Sequence, residues 1–451
     1  MGLCLPFSKT KRYLTGIDWI VNMFDHMLKS SSGVGNASQI ILELDGVLPE
    51  HRFRELFSRF AALLPVLQGC VARDYNLAPY WKIPRSIDPE GITIQLERFP
   101  DSHVRETILS SLASRVNIPF RHDRHHVSFD LAYRGESATF LVMRFDHRLF
   151  DARGAEGFLD LFSTYVKHDC DPRVLEGISF IEPAHLSNWR SKFLAGQQAN
   201  RALLSLARTS HRLFDFRNLK DRISQFRFIQ FTEAEARAIT DAAYSEAGYL
   251  MLMPYLLAHG IQALHRAFLK KGINIPDYVI PISLDMRRPG TLKEKLFFNH
   301  VSFLFLSIRT SDIGDRKLLI QSIRGQMYDQ AKSRWRENFS EASMLLRIAP
   351  LGLLSRVARL PLKGEFGSLA FSQITETAYS SADFLGNRVL DLVHSPRVPV
   401  PPGFGFFFNS FAGRLNAIFC FVPELLDQGD VEMVMNSIKD LPAQAKKPVN
   451  D

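Results

Sequence analysis

Residues 139–145, TFLVMRF, form a run that is almost entirely apolar and does not alternate. A strand with one wet face alternates apolar and polar side chains, so a strand of this composition must be covered on both faces. That requirement points to an α/β architecture, with structure packed on each side of a sheet. Directly after the run comes HRLFDARG, and then a helix expected from about 153 to 166, with Phe158, Leu161, Phe162 and Val166 on one side.

Similar signals recur along the chain. Residues 39–45 read as a strand, and 49–65 as a helix with Phe53, Leu56, Phe57, Phe60 and Leu64 at helical spacing. Strands are expected at 92–97 and 127–133, with a helix near 104–116 between them. The texture changes over 186–227, where Arg190, Lys192, Arg201, Arg208, Arg212, Arg217, Lys220, Arg222 and Arg227 face only Asp215 and Asp221. Leu203, Leu206, Leu213 and Phe216 add a helical stripe, so the segment reads as a solvated crossover or as a basic helix on a membrane surface. Beyond it a strand is expected at 226–231, then a helix opened by a Thr232–Glu235 capping box. A helix at 253–271, strands at 278–284 and 300–308, and helices near 315–336 and 341–357 follow. Strands near 368–374 and 388–393 lead to a hairpin over 404–422 turned at Ala412-Gly413, and a last helix covers about 427–440. With 451 residues the chain has room for two units. The expected division is a first lobe at 1–185, a basic helical crossover at 186–225 and a second lobe at 226–451.

Phe is the compositional outlier, with 36 copies against four Trp. Most of these rings are expected in the core, with the lining of an apolar tunnel as the other use. A net charge of +8 favours acidic partners such as nucleic acid, anionic membrane or phosphate-bearing cofactors. No zinc spacing, basic zipper or aromatic-basic RNA-binding signature occurs, which argues against nucleic acid. The four cysteines, at 4, 70, 170 and 420, form no CxxC and no metal spacing, and are expected as reduced thiols in a cytoplasmic protein. The amino end is too short and too charged for a secretory signal. The greasy stretch from Tyr249 to Leu264 contains Pro254, His259 and Gln262, too polar for a spanning helix. Peripheral membrane contact stays open. Arg121–His126 reads as a solvated loop rather than a metal site.

A His followed four residues later by Asp is weak evidence alone, and the pentapeptide HRLFD occurs twice: His147–Asp151 and His211–Asp215. Context separates them. His147 stands at the end of a buried strand, where a side chain is held rigidly enough to be preorganised. His211 and Asp215 fall in the basic segment, where they make an ordinary i,i+4 pair on a helix.

The stretch FDHRLFDARGAEGFLDLF resembles the HHxxxDG signature of the chloramphenicol-acetyltransferase-like superfamily, which includes condensation domains, BAHD acyltransferases, wax-ester synthase/diacylglycerol acyltransferases and alcohol acetyltransferases. Val279–Arg288 resembles its strand ending in an Arg motif, Phe298-Asn299-His300-Val301 its strand entry, and Ser372-Gln373 with the 404–422 hairpin its late strand and closing hairpin. Gly16-Ile17-Asp18 looks like the opening segment of the lipid-directed members. Three positions depart: Asp146 stands for the first His, Ala152 for the Gly and Gln373 for the late Asn. The resemblance implies two similar αβ lobes with mixed sheets and an active-site tunnel at their interface.

It also implies His147 as general base, Asp151 paired with Arg287, and support from Asn299, Ser372 and Gln373. Arg288 is the alternative partner of Asp151, and a helix N-cap is the alternative use of Asp151 itself. Acyl transfer from a thioester needs a group that takes the acceptor's proton and returns one to the thiolate, and imidazole suits both. No GxSxG nucleophile is present. The donor is expected to be acyl-CoA or a phosphopantetheine-linked thioester on a separate acyl carrier protein, and the acceptor an alcohol, amine or lipid. The rival expectation is a lipid- or membrane-binding protein of the same fold that has lost turnover, favoured by Asp146, Ala152 and Gln373.

Overall fold

The structure, a computed structural model, describes residues 10–88, 91–179, 188–207, 216, 219, 222–273, 275, 277–360, 365 and 367–445. Its strands are β1 (Lys11–Tyr13), β2 (Ala37–Asp45), β3 (Cys70–Arg73), β4 (Pro79–Lys82), β5 (Ile94–Phe99), β6 (Val127–Arg134), β7 (Ala138–Asp146), β8 (Gln225–Phe231), β9 (Asp277–Asp285), β10 (Val301–Arg309), β11 (Ala370–Ile374), β12 (Asp383–Phe384), β13 (Asn387–His394), β14 (Phe404–Phe411) and β15 (Arg414–Phe421). Two six-stranded sheets run β12-β13-β2-β7-β6-β5 and β10-β9-β11-β14-β15-β8, and a small third sheet runs β1-β4-β3. Both large sheets are mixed, with β5–β6 parallel in the first and β9–β11–β14 parallel in the second.

The non-alternating run lies within β7, whose residues are all buried. One face of β7 presents Leu141, Met143 and Phe145 to Phe53, Phe57 and Phe60 of helix Glu50–Ala62 and to Phe158 and Phe162 of helix Ala152–Lys167. The other presents Phe140 and Val142 to helix Arg105–Ala113 and to Phe226 and Phe228 of β8. The Phe-rich composition goes largely into these layers: Phe57 sits edge-on to Phe129 at 4.6 Å and to Phe162 at 5.4 Å. Truncating one such ring to Ala costs about 3–5 kcal/mol, so the layers fix the strand against sliding.

The structure differs from the sequence-based expectations in three places. Residues 383–394 fall within the span expected for the second lobe, yet they complete the first sheet, with Leu392 opposite Leu42 and Val393 opposite Ile41. The helix expected over 341–357 is three pieces, Trp335–Ser343, a 3-10 turn Met344–Ile348 and Leu351–Arg359. Pro350 causes the break, because it has no N–H and forces Ala349 into an extended conformation. Helix Gly16–Ser32 and strands β1, β3 and β4 were not expected. The helix opens on a Thr15–Asp18 capping box and closes at Gly33 in the left-handed region. Of the basic segment, helix Trp189–Ala207 is described and packs against helix Trp335–Ser343, with Asn338 donating to Gln198 at 2.7 Å. His211 and Asp215 lie outside the described residues. Among the described residues, no helix is long and apolar enough to cross a membrane.

Candidate active site

At the end of β7 the chain leaves the sheet through His147–Asp151 and enters helix Ala152–Lys167. The β2–β7 ladder ends with Ala37 opposite Asp146, and the next N–H, that of His147, still donates to the Asn36 carbonyl at 2.9 Å. Asp146 then tightens the turn. Its Oδ1 accepts the Arg148 N–H at 2.9 Å, and the Arg148 guanidinium folds back onto Oδ2 at 2.6 Å. His126 Nδ1 lies 3.0 Å from the same carboxylate, with Nε2 at 2.8 Å from the Gly69 carbonyl. His126 is therefore buried, not part of a solvated loop, because the carboxylate draws it inward. Burial opposes the charge on Asp146, but Arg148 and His126 outweigh it and hold the carboxyl well below the ordinary range.

The other side of the turn is held by the second half of the chain. The Phe298 N–H donates to Leu149 O at 2.6 Å, and Phe150 and Phe298 form an isolated parallel bridge. Asn299 Nδ2 donates to the His147 carbonyl at 2.8 Å. Phe298 adopts a left-handed backbone, φ 71°, rare for an aromatic residue, and the Arg12 guanidinium stacks over its ring at 3.9 Å. His147 is thus gripped at its N–H from the first sheet and at its C=O from the segment entering β10.

Asp151 joins both readings of its role. Its Oδ1 accepts the Gly154 N–H at 2.8 Å as a helix N-cap and also receives Arg287 Nη2 at 2.9 Å. Oδ2 accepts the His300 N–H at 2.9 Å. Both side chains of the ion pair are 4% exposed, whereas Arg288 is exposed. Arg287 is itself anchored to Asp285 Oδ1 at 3.0 Å and to the Lys295 carbonyl. A fully engaged carboxylate of this kind is a strut, and removing one member of such a pair costs about 3–5 kcal/mol.

Asp18 bears on the site more than its place in the opening segment implied. Its Oδ1 accepts the Asn299 N–H at 3.1 Å and its Oδ2 is paired with Arg12, so the opening segment braces the residue that holds His147. Burial works against its charge, but Arg12 and the N–H donors of Thr15 and Asn299 keep the carboxyl below its ordinary value. The capping box was the available signal. Gly154 was also missed: a Cβ there would stand 2.3 Å from the Leu296 carbonyl, so the helix start and the segment before β10 touch backbone to backbone.

His147 is partly exposed. Burial lowers its imidazole pKa below the usual value, partly offset by Asp151, Asp146, the Asn299 side chain and its own carbonyl. Its Nδ1 is buried with no hydrogen bond of normal geometry, as are Asn299 Oδ1 and Gln373 Nε2. Ser372 and Gln373 lie on β11, where the Phe371–Ile282 pairing sets them level with Ser283 and Leu284, towards the end of β9 that leads into Arg287. Among the described residues, no hydrogen bond ties either to His147, and no cluster of His, Cys, Asp or Glu is arranged to hold a metal ion.

No family model matches the sequence, and no curated protein matches it. Solved structures do match its fold. The first condensation domain of the calcium-dependent antibiotic synthetase, in complex with a substrate analogue, aligns with TM-score 0.66 and 14% identity over 98% of both chains. The trichothecene 15-O-acetyltransferase TRI3 from Fusarium sporotrichioides aligns with TM-score 0.68 and 12% identity, covering 97% of this chain and 96% of its own. TRI101 of F. sporotrichioides, complexed with coenzyme A and T-2, aligns with TM-score 0.60 and 13% identity, covering 95% and 97%. With two mixed sheets meeting at the His147–Asp151 turn, the chain has the two-lobed chloramphenicol-acetyltransferase-like fold of these solved structures.

Proposed function

We propose that this chain transfers an acyl group from a thioester, acyl-CoA or an acyl carrier protein, to an alcohol or amine, with His147 as general base. The observation that carries the reading is the double grip on His147: its N–H bound to Asn36 and its C=O bound to Asn299 leave only the ring to act. Asp151 is committed to Arg287, Gly154 and His300, so it is no rival as the base.

With Nδ1 buried, Nε2 is the nitrogen left to meet a substrate. It takes the acceptor's proton as the acceptor oxygen or nitrogen bonds to the thioester carbon. The tetrahedral oxyanion then collapses, the C–S bond breaks, and the imidazolium returns its proton to the departing thiolate. A lowered pKa keeps the ring neutral, and so ready to accept, at pH 7. In this reading the oxyanion donor comes from β11, where Ser372 and Gln373 point to opposite faces of the strand, and the unpartnered Gln373 Nε2 supports Gln373 as that donor. Amide-forming condensation uses the same residues and differs only in its acceptor. The reading puts the protein in a reducing compartment, with Cys70, Cys170 and Cys420 as free thiols.

The test is a panel of acyl-CoAs and phosphopantetheinylated carriers offered with alcohols and amines, followed by free-thiol release. Release that depends on the acceptor is expected. A folded protein that binds lipid tightly yet releases no thiol across the panel would leave it a binding protein.

A further inference from the structure

The hairpin joining β3 to β4 ends in a turn at Asp74–Ala78, with Tyr75 94% exposed and Leu77 exposed beside it. Arg73 ties this tip to the segment before helix Leu351–Arg359: one nitrogen, Nη1, donates to Leu77 O at 2.6 Å and to Ile348 O at 3.1 Å, and Nη2 donates to Ala349 O at 2.9 Å. The guanidinium also stacks on Trp19 at 4.6 Å. The tip and the helix are therefore neighbours held by one cation.

Helix Leu351–Arg359 is amphipathic in an unusual sense. Leu354 and Ser355 face inward, while the outward stripe carries Leu353 and Val357 and runs on to Leu360, which is 73% exposed. A solvated helix face ordinarily carries charged and polar residues. Here the only charges on the helix are Arg356 and Arg359, with no acid. Arg359 Nε is spent on Ser355 O at 3.0 Å, and Arg356 is exposed.

We infer that the Tyr75–Leu77 tip and the outward face of helix Leu351–Arg359 form a surface that rests on an anionic phospholipid bilayer. Two features favour a bilayer over a protein. The apolar side chains stand on a protruding tip and a convex helix face, a shape that sinks into the headgroup boundary. Arg356, exposed and unopposed by any acid on the helix, is placed to extend from an immersed stem towards lipid phosphates. This surface differs from the basic 186–227 segment, whose composition first raised a membrane contact.

The test is co-sedimentation of the full chain with phosphatidylcholine vesicles and with mixed phosphatidylcholine–phosphatidylserine vesicles. The parent should pellet with the mixed vesicles and far less with phosphatidylcholine alone. The Leu353→Ser/Val357→Ser/Leu360→Ser variant, altered only at exposed positions, should bind more than about tenfold more weakly. Arg356→Glu should weaken binding at least about fivefold, and added salt should mimic it. Tyr328→Ser, an exposed change on helix Arg316–Lys332, should bind like the parent. The inference is overturned if the folded parent ignores anionic vesicles or if the triple variant binds as the parent does. It is equally overturned if the parent is a dimer that the triple variant dissociates, since the patch would then belong to a second copy.

Discussion

Asn299 is the residue on which the two halves of the chain agree about where His147 stands. Its backbone N–H is spent on Asp18 and its Nδ2 on the His147 carbonyl, while its side chain also favours the charged ring. Asn299→Ala removes the second and third of these. It should lower kcat by about tenfold to a hundredfold through misplacement, with KM little changed. It should also shift the acid limb of the pH–rate profile further below the ordinary histidine value of 6.5, because a group that raised the pKa is gone. A limb that stays put, or a loss confined to KM, contradicts this role. At this scale the sequence was informative where spacing and context agreed. The place of His147 at a strand end was legible from context, and the Asp151–Arg287 pair, which the resemblance implied, forms in the structure. The reach of Asp18 to Asn299, 281 positions away, and of His126 to Asp146, 20 positions away, was not legible, because no local pattern encodes such contacts.

Between elements, the decisive contact is the approach of helix Ala152–Lys167 to the segment preceding β10. Gly154 faces the Leu296 carbonyl, and Gly157 faces Leu296 and Leu292 side chains. The superfamily's glycine after the Asp is Ala152 here, and the close approach falls two residues later, so the departure at 152 leaves this packing intact. Gly154→Ala should push the two elements apart, destabilising the chain by about 1–3 kcal/mol and reducing turnover, because Arg287 and His300 move with the displaced segment. Urea unfolding and thiol release measure the two effects, and an unchanged midpoint would show that the segment yields freely. β7 and the 404–421 hairpin were readable because each is a short, nearly continuous apolar run bounded by turn residues, the mark of a strand covered on both faces. The destination of β13 was not: a run of buried residues states that a strand is covered, not which sheet it joins.

Across the whole molecule, buried ionisable groups set the response to acid. His259 lies in the core of helix Leu252–Lys270, its ring 4.5 Å from Tyr255, with Nε2 unpartnered. Burial, with Arg316 and Arg266 nearby, pushes its pKa down to about 3. Below pH 6.5 the unfolded imidazole takes a proton that the folded one refuses, so stability is full above that pH and declines as the pH falls towards 3. His259→Leu should remove about 2 kcal/mol of the loss between pH 7 and 5, seen as a flatter urea-midpoint profile, and parallel profiles would refute it. The depressed carboxyls of Asp18 and Asp146 add a further loss at lower pH, when they must protonate. The two-lobed outline was visible in the order of strands and helices, whereas the masses of contact that join the lobes were not. Of the two identical HRLFD segments, the proposed function assigns the chemistry to His147–Asp151 alone. With a donor and acceptor in hand, thiol release should fall about 10²–10⁴-fold in His147→Ala and stay near the parent rate in His211→Ala. Equal rates for parent and His147→Ala, in folded protein, would contradict it.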